Sequence, residues 1–182
     1  MVKALVIGDF HIPYRARRIP RAIWDEISSE RFDAVLCPGD LTSRSLVDLL
    51  SRLGRVHVVA GNMDYLDLPR SLTVRLGGLK VGIDHGVVFP RGDVAQLSRI
   101  AERMGVDVLV SGHTHSLSVG EAEVRGKRVL LLNPGSACGT WSGGSASMVP
   151  SFIVLEIEGR RATVHAYELV KQLRRKTYIF EL

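Results

Sequence analysis

Five apolar runs of strand length in this chain each end in glycine beside a residue that can bind metal. Lys3–Ile7 leads into Gly8-Asp9-Phe10-His11, and Ala34–Leu36 into Pro38-Gly39-Asp40. Val56–Ala60 leads into Gly61-Asn62-Met63-Asp64, and Leu79–Ile83 into Asp84-His85-Gly86. Val106–Val110 leads into Gly112-His113-Thr114-His115. In an open α/β sheet the ligand crevice lies beyond the carboxyl ends of the strands, so groups placed this way can converge. That placement constrains the chain more than any other feature does.

Helical segments alternate with these runs. Arg21–Glu30 places Ala22, Ile23 and Ile27 on one side. A second helix, capped by Ser43 or Ser45 and ended by Gly54, carries Leu46, Val47, Leu49, Leu50 and Leu53. Asp93–Met104 has the clearest helical spacing, with Val94, Leu97, Ile100, Ala101 and Met104. Gly77-Gly78 between Leu72–Leu76 and Leu79–Ile83 is a hairpin signal. Past residue 111 strands dominate: Ser116–Val124, Arg128–Leu132, Phe152–Ile157 and Ala162–Glu168, interrupted by a Gly- and Ser-rich loop from Gly139 to Ser147. βαβ units followed by hairpins imply an α/β fold of two packed sheets with helices on the outer faces.

With 182 residues, 46% hydrophobic and 24% charged, the chain reads as one globular domain, residues 1–182. No apolar run approaches the ~20 residues of a membrane helix, so no membrane insertion is expected. The opening residues read as a strand and not a signal peptide. Cys37 and Cys138 are too few and too far apart for a disulfide framework, and the expected compartment is cytoplasmic. The net charge of +5 admits anionic partners. Its two clusters, Arg15, Arg17, Arg18 and Arg21, then Lys171, Arg174, Arg175 and Lys176, lack the interleaved aromatics of a single-strand stacking surface. Charge alone does not make this a nucleic-acid binder.

Taken singly, Asp9 or Asp40 could be a helix cap, Asn62 a turn residue and His85 a hydrogen-bonded structural histidine. Together they form a ligand set. Four of the six histidines sit in the strand-end motifs, while His57 and His165 lie inside strands. Imidazoles mixed with carboxylates and an amide oxygen suit Mn, Fe, Zn or Ni better than an all-oxygen Ca site. No cysteine joins the set, which argues against structural zinc or a deaminase. Four histidines, two aspartates and one asparagine exceed the needs of one ion. Two divalent metals sharing a carboxylate, roughly 3.5–4 Å apart, could hold a bridging hydroxide and clamp phosphoryl oxygens.

These motifs resemble those of the calcineurin-like metallophosphoesterase superfamily: GD-x-H, GD, GN-x-D or GNH, a His-Gly, and GH-x-H. With Asn133-Pro134-Gly135-Ser136 and Pro150-Ser151-Phe152, the chain is most similar to the small bacterial and archaeal phosphodiesterases and to the retromer subunit that shares their fold. The resemblance implies a four-layer α/β/β/α sandwich of two mixed sheets. It implies Asp9, His11, Asp40 and His115 around one metal, and Asp40, Asn62, His85 and His113 around the other. Asp40 would bridge, and Asp9, Asp40, Asn62 and His113 would carry catalysis. The implied activity is metal-dependent phosphodiester hydrolysis by a bridging hydroxide. The alternative is a non-catalytic, retromer-subunit-like scaffold that keeps a metal site and binds protein partners. Eukaryotic members of that branch depart from the metal pattern at the positions matching Asp40 and Asn62. This chain keeps both, which favours catalysis and a phosphate-ester substrate. A nuclease ranks last, since no nucleic-acid module is added. Two departures stand out. Met63 occupies the place of a histidine proposed as proton donor, and Val87 replaces a second histidine after His-Gly.

Overall fold

The computed structural model describes residues 1–182. In chain order the elements are β1 (Val2–Val6), α1 (Arg21–Ser28), β2 (Ala34–Cys37), α2 (Arg44–Ser51), β3 (Arg55–Val58), β4 (Ser71–Leu76), β5 (Leu79–Asp84) and α3 (Val94–Met104). Then follow β6 (Val108–Val110), β7 (Leu117–Val124), β8 (Lys127–Pro134), β9 (Ser151–Glu158), β10 (Arg161–Leu169) and β11 (Leu173–Glu181). One sheet has the order β11-β10-β9-β1-β2-β3 and the other β4-β5-β6-β8-β7. Both are mixed. The strands β1, β2 and β3 run parallel, as do β5, β6 and β8, while their outer neighbours are antiparallel.

Why the chain makes four layers follows from alternation along its strands. In β1, Ala4 and Val6 face the core between the sheets, while Leu5 faces α1 and α2. In β2, Ala34 and Leu36 point to that central core, and Val35 and Cys37 to the helices. In β8, Leu130 and Leu132 point inward, and Val129 and Leu131 pack under α3. Strands covered on both faces read as continuous apolar runs, which is how the sequence presents them. The helices supply matching stripes: Ile23 and Ile27, Leu46 and Leu50, then Leu97, Ile100 and Ala101. Two mixed sheets with three helices match the expected α/β sandwich. No helix is long and apolar enough to cross a membrane.

Local expectations fail at three places. Ser43 precedes α2, but its hydroxyl bonds the Ser45 hydroxyl at 2.7 Å and caps no backbone group. Gly54 does not end α2, which stops at Ser51. Its lack of a side chain serves a close approach, since a Cβ there would lie 2.4 Å from the Phe32 carbonyl oxygen. Finally β11 was hidden. Arg174, Arg175 and Lys176 interrupt any apolar alternation, yet they lie on an edge strand paired along its length with β10. Charges on an exposed edge deter pairing with other chains.

Asp107, at the entry to β6, ties several segments together. Its carboxylate accepts the Lys80 N–H at 2.7 Å and pairs with Lys127 at 2.6 Å and Arg160 at 3.0 Å. Burial would raise its pKa, but these three contacts outweigh that and hold it at about 2. The folded value lies below the ordinary 3.8, so the stabilisation is complete above that pH and disappears as pH falls through about 2. Both cations are half exposed, which weakens the pairs by screening. Asp107→Asn should therefore lower stability at pH 7 by about 1–2 kcal/mol, with a smaller gap from the parent at pH 2. Urea unfolding at both pH values checks this, and identical midpoints at pH 7 would contradict it.

Candidate metal centre

All seven candidate residues arrive at one end of the molecule. Asp9 and His11 follow β1, Asp40 follows β2, Asn62 follows β3, His85 follows β5, and His113 and His115 follow β6. The ends of both sheets thus contribute. Asp9, His11, Asp40 and His115 are buried, and one ligand atom from each lies within 4.8 Å of the others. His11 Nε2 is 3.1 Å from His115 Nε2 and 3.2 Å from Asp40 Oδ2, and His115 Nε2 is 3.4 Å from Asp9 Oδ1. Beside them lies a second group. Asn62 Oδ1 is 3.0 Å from His85 Nε2 and 2.9 Å from His113 Nδ1, and Asp40 Oδ2 is 3.4 Å from His85 Nε2. One oxygen of Asp40 therefore touches both groups.

The backbone is bent to make this possible. Asp9, His11, Asp40, His113 and His115 all have positive φ, between 49° and 70°. Asp and His tolerate this region better than most residues, but each still costs about 1–3 kcal/mol, and such positions cluster at functional sites. Two glycines permit the crowding. A Cβ on Gly61 would lie 2.0 Å from Asp40 Oδ1, and one on Gly112 would lie 2.7 Å from Asp9 Oδ2.

Neighbouring residues hold the candidate ligands in place. His85 Nδ1–H donates to the Pro38 carbonyl at 2.7 Å, and His115 Nδ1–H donates to the Thr140 carbonyl at 2.7 Å. Each bond turns an Nε2 lone pair inward, the usual arrangement for metal-binding imidazoles. Asp64 accepts N–H groups from Asp40, Gly61 and Thr42, which fixes the turn carrying Asp40. Met63 N–H donates to Asp40 Oδ1 at 2.8 Å and leaves Oδ2 for the site. Asn133 donates to the Gly112 carbonyl and Ser136 to the Asp9 carbonyl. The Asn133–Ser136 stretch thus braces two ligand loops, a task its sequence did not reveal.

The donor set fits divalent cations. Asp9 Oδ1 is buried and has no hydrogen-bond partner, although such groups are almost always satisfied. Two inward imidazole nitrogens at 3.1 Å cannot both be bare without repulsion. Ligand atoms bound at about 2.0–2.2 Å to one ion stand about 3.0–3.4 Å apart, the spacing of the His11–His115, His11–Asp40 and His115–Asp9 pairs. Electrostatics agree. Burial would raise the Asp40 carboxyl, but His11, His85 and the Met63 N–H hold it well below the usual carboxylate range. Burial would lower His85, but Asp40, the charge of Asp9 and the Pro38 carbonyl raise it to about 9. Burial, then the charges of His85 and Arg91, lower His113 to about 4, so its ring is neutral at pH 7.

The basic residues after His11 divide. Arg15 donates to the Trp141 carbonyl at 2.8 Å, in the loop next to Thr140. Arg17 and Arg18 instead line a mostly apolar cavity of about 300 Å³ with Trp24 of α1 and Leu46 of α2.

Comparison with known proteins places this centre in context. The model of the calcineurin-like phosphoesterase superfamily domain matches residues 2–160. A probable metallophosphoesterase of Methanocaldococcus jannaschii is 44% identical over 132 residues, 72% of this chain. The match spans 66% of that relative's length. Vacuolar protein sorting 29 of Cryptosporidium parvum superposes with a TM-score of 0.91 at 31% identity, covering 100% of this chain and 98% of that one. The Vps29 of Entamoeba histolytica, solved in complex with zinc, gives a TM-score of 0.85 at 38% identity, with coverage of 97% and 98%.

Proposed function

The chain belongs to the calcineurin-like phosphoesterase superfamily, and we propose that it is a metal-dependent phosphodiesterase working at a two-cation site. Asp9, His11, Asp40 and His115 would hold one ion, and Asp40, Asn62, His85 and His113 the other. The observation that carries this is Asp40 Oδ2, which lies 3.2 Å from His11 Nε2 and 3.4 Å from His85 Nε2. When bound, such ions generate a nucleophile from water at neutral pH and neutralise charge on phosphoryl oxygens. Mn, Zn, Fe and Ni all suit this mixed set.

The protein's own part is positioning. The Met63 N–H holds Asp40, and Pro38 and Thr140 orient His85 and His115, so the ligands wait in their working geometry. Asn62 is the exposed member of the set, which puts the open side of the centre at the second group. A diester suits the centre better than a monoester. The monoester's additional negative charge opposes an incoming anion, and residue 63 brings no proton for its leaving oxygen. Both cysteines are free, in keeping with a reducing cytoplasmic compartment.

A non-catalytic scaffold of the retromer-subunit kind is the alternative, supported by the full-length likeness to Vps29 and by exposed aromatics near the motifs. Tyr65 and Phe89 are 86% and 87% exposed. Such residues suit protein partners. One screen separates the two. The protein loaded with each metal in turn is assayed against aryl diesters, monoesters, cyclic nucleotides and nucleic acid. Phosphodiesterase activity predicts metal-dependent turnover, highest on aryl diesters. Metal retention with no turnover on any ester would favour the scaffold.

A further inference from the structure

Next to the centre, on the side of Asn62 and His85, lies a cavity of about 580 Å³ that no step above uses. That volume is within the range of small-molecule sites and far exceeds what one phosphoryl group fills. Asn62 and His85, from the second candidate ligand group, line it together with Arg70 and Arg103. Val87 and Ile100 add an apolar side.

Neither guanidinium has an ion-pair partner, although Asp64 and Asp84 line the same cavity. Those carboxylates are held by backbone N–H groups and by neither guanidinium. Asp64 uses both oxygens on the N–H groups of Asp40, Thr42 and Gly61, and Asp84 accepts the Gly86 N–H at 2.8 Å. Two guanidiniums lining one cavity, neither in an ion pair, offer an oxyanion planar donor forks that match phosphate geometry.

We propose that this cavity receives one ester arm of the substrate, and that this arm carries a second phosphate-type oxyanion bound by Arg70 and Arg103. The inference rests on the phosphodiesterase reading and narrows it to diesters with a further phosphate on the arm. Val87, which stands where relatives of this branch often have histidine, lies against the body of that arm. The arm is thus apolar in its middle and anionic at its end.

Binding tests this separately from turnover. The probes are a nucleoside 3′,5′-bisphosphate and the matching 5′-monophosphate, titrated calorimetrically into the Mn-loaded protein. The bisphosphate should bind about 10–100-fold more tightly, as expected for charge-assisted bonds from two arginines. In the Arg70→Ala/Arg103→Ala variant that gap should shrink to about twofold or less. Arg174→Ala/Arg175→Ala on β11 removes the same charge and should keep the gap. Equal affinity in the parent would overturn the proposal, as would a gap that survives in the first variant or collapses in both. Turnover of bis(p-nitrophenyl) phosphate is read alongside in the parent and in Arg174→Ala/Arg175→Ala, where it should not change. If no protein hydrolysed this ester while the binding gap followed Arg70 and Arg103, the phosphodiesterase reading would fail and the oxyanion site would stand.

Discussion

Asp40→Ala is expected to abolish hydrolysis and strip most of the bound metal while the protein stays folded. Losing a partner that merely orients a metal ligand already costs about 10–100-fold, so losing a ligand shared by two ions should cost about 10³-fold or more. Asp40 Oδ2 is the one carboxylate oxygen that reaches both His11 and His85. The fold should survive because residue 40 lies beyond the end of β2, outside the three hydrophobic clusters. Its backbone N–H keeps its bond to Asp64. The Met63 N–H loses its acceptor, a cost of about 1 kcal/mol. Elemental analysis, diester turnover and thermal unfolding of the variant check all three parts. Turnover near the parent rate would remove Asp40 from the bridging role.

The second large effect concerns the leaving group. A placed proton donor contributes about 10²–10⁴-fold when the departing oxygen is basic. The Met63 side chain cannot donate a proton, and its backbone N–H is bonded to Asp40. A nitrophenolate departs unaided, but an alkoxide does not. The rate should fall steeply as leaving-group pKa rises, with activated aryl diesters well ahead of alkyl ones. Met63→His should flatten that slope and raise alkyl diester turnover by about 10²-fold if the new ring reaches the leaving oxygen. Substituted aryl and alkyl diesters assayed with both proteins measure this. A shallow slope in the parent would mean that the proton already comes from elsewhere.

The sequence made the convergence of the candidate residues legible because they sit just after buried strands. A continuous apolar run marks each strand, and the next polar residue must lie at the sheet's end, so spacing alone placed Asp9, Asp40, Asn62, His85 and His113 at the carboxyl ends of strands in the two sheets. The braces were not legible for the opposite reason. Ser136 reaches Asp9 across 127 residues, and Thr140 supports His115 from a loop whose Gly and Ser composition announces only a loop. β11 was missed because three consecutive cations suit an exposed edge and leave no pattern of burial. Gly54 looked like a helix stop, but contact with the Phe32 carbonyl governs it, and that is a tertiary fact. The cavity bounded by Arg70 and Arg103 joins segments from four places in the chain, and no local motif marks it.

The most direct measurement is turnover of bis(p-nitrophenyl) phosphate as Mn is titrated into chelator-treated protein. Two-cation catalysis predicts no turnover without metal and a rise that reaches its plateau near two equivalents, with Asp40→Ala flat throughout. Turnover that is already maximal in chelator-treated protein, or absent at every loading, would contradict it.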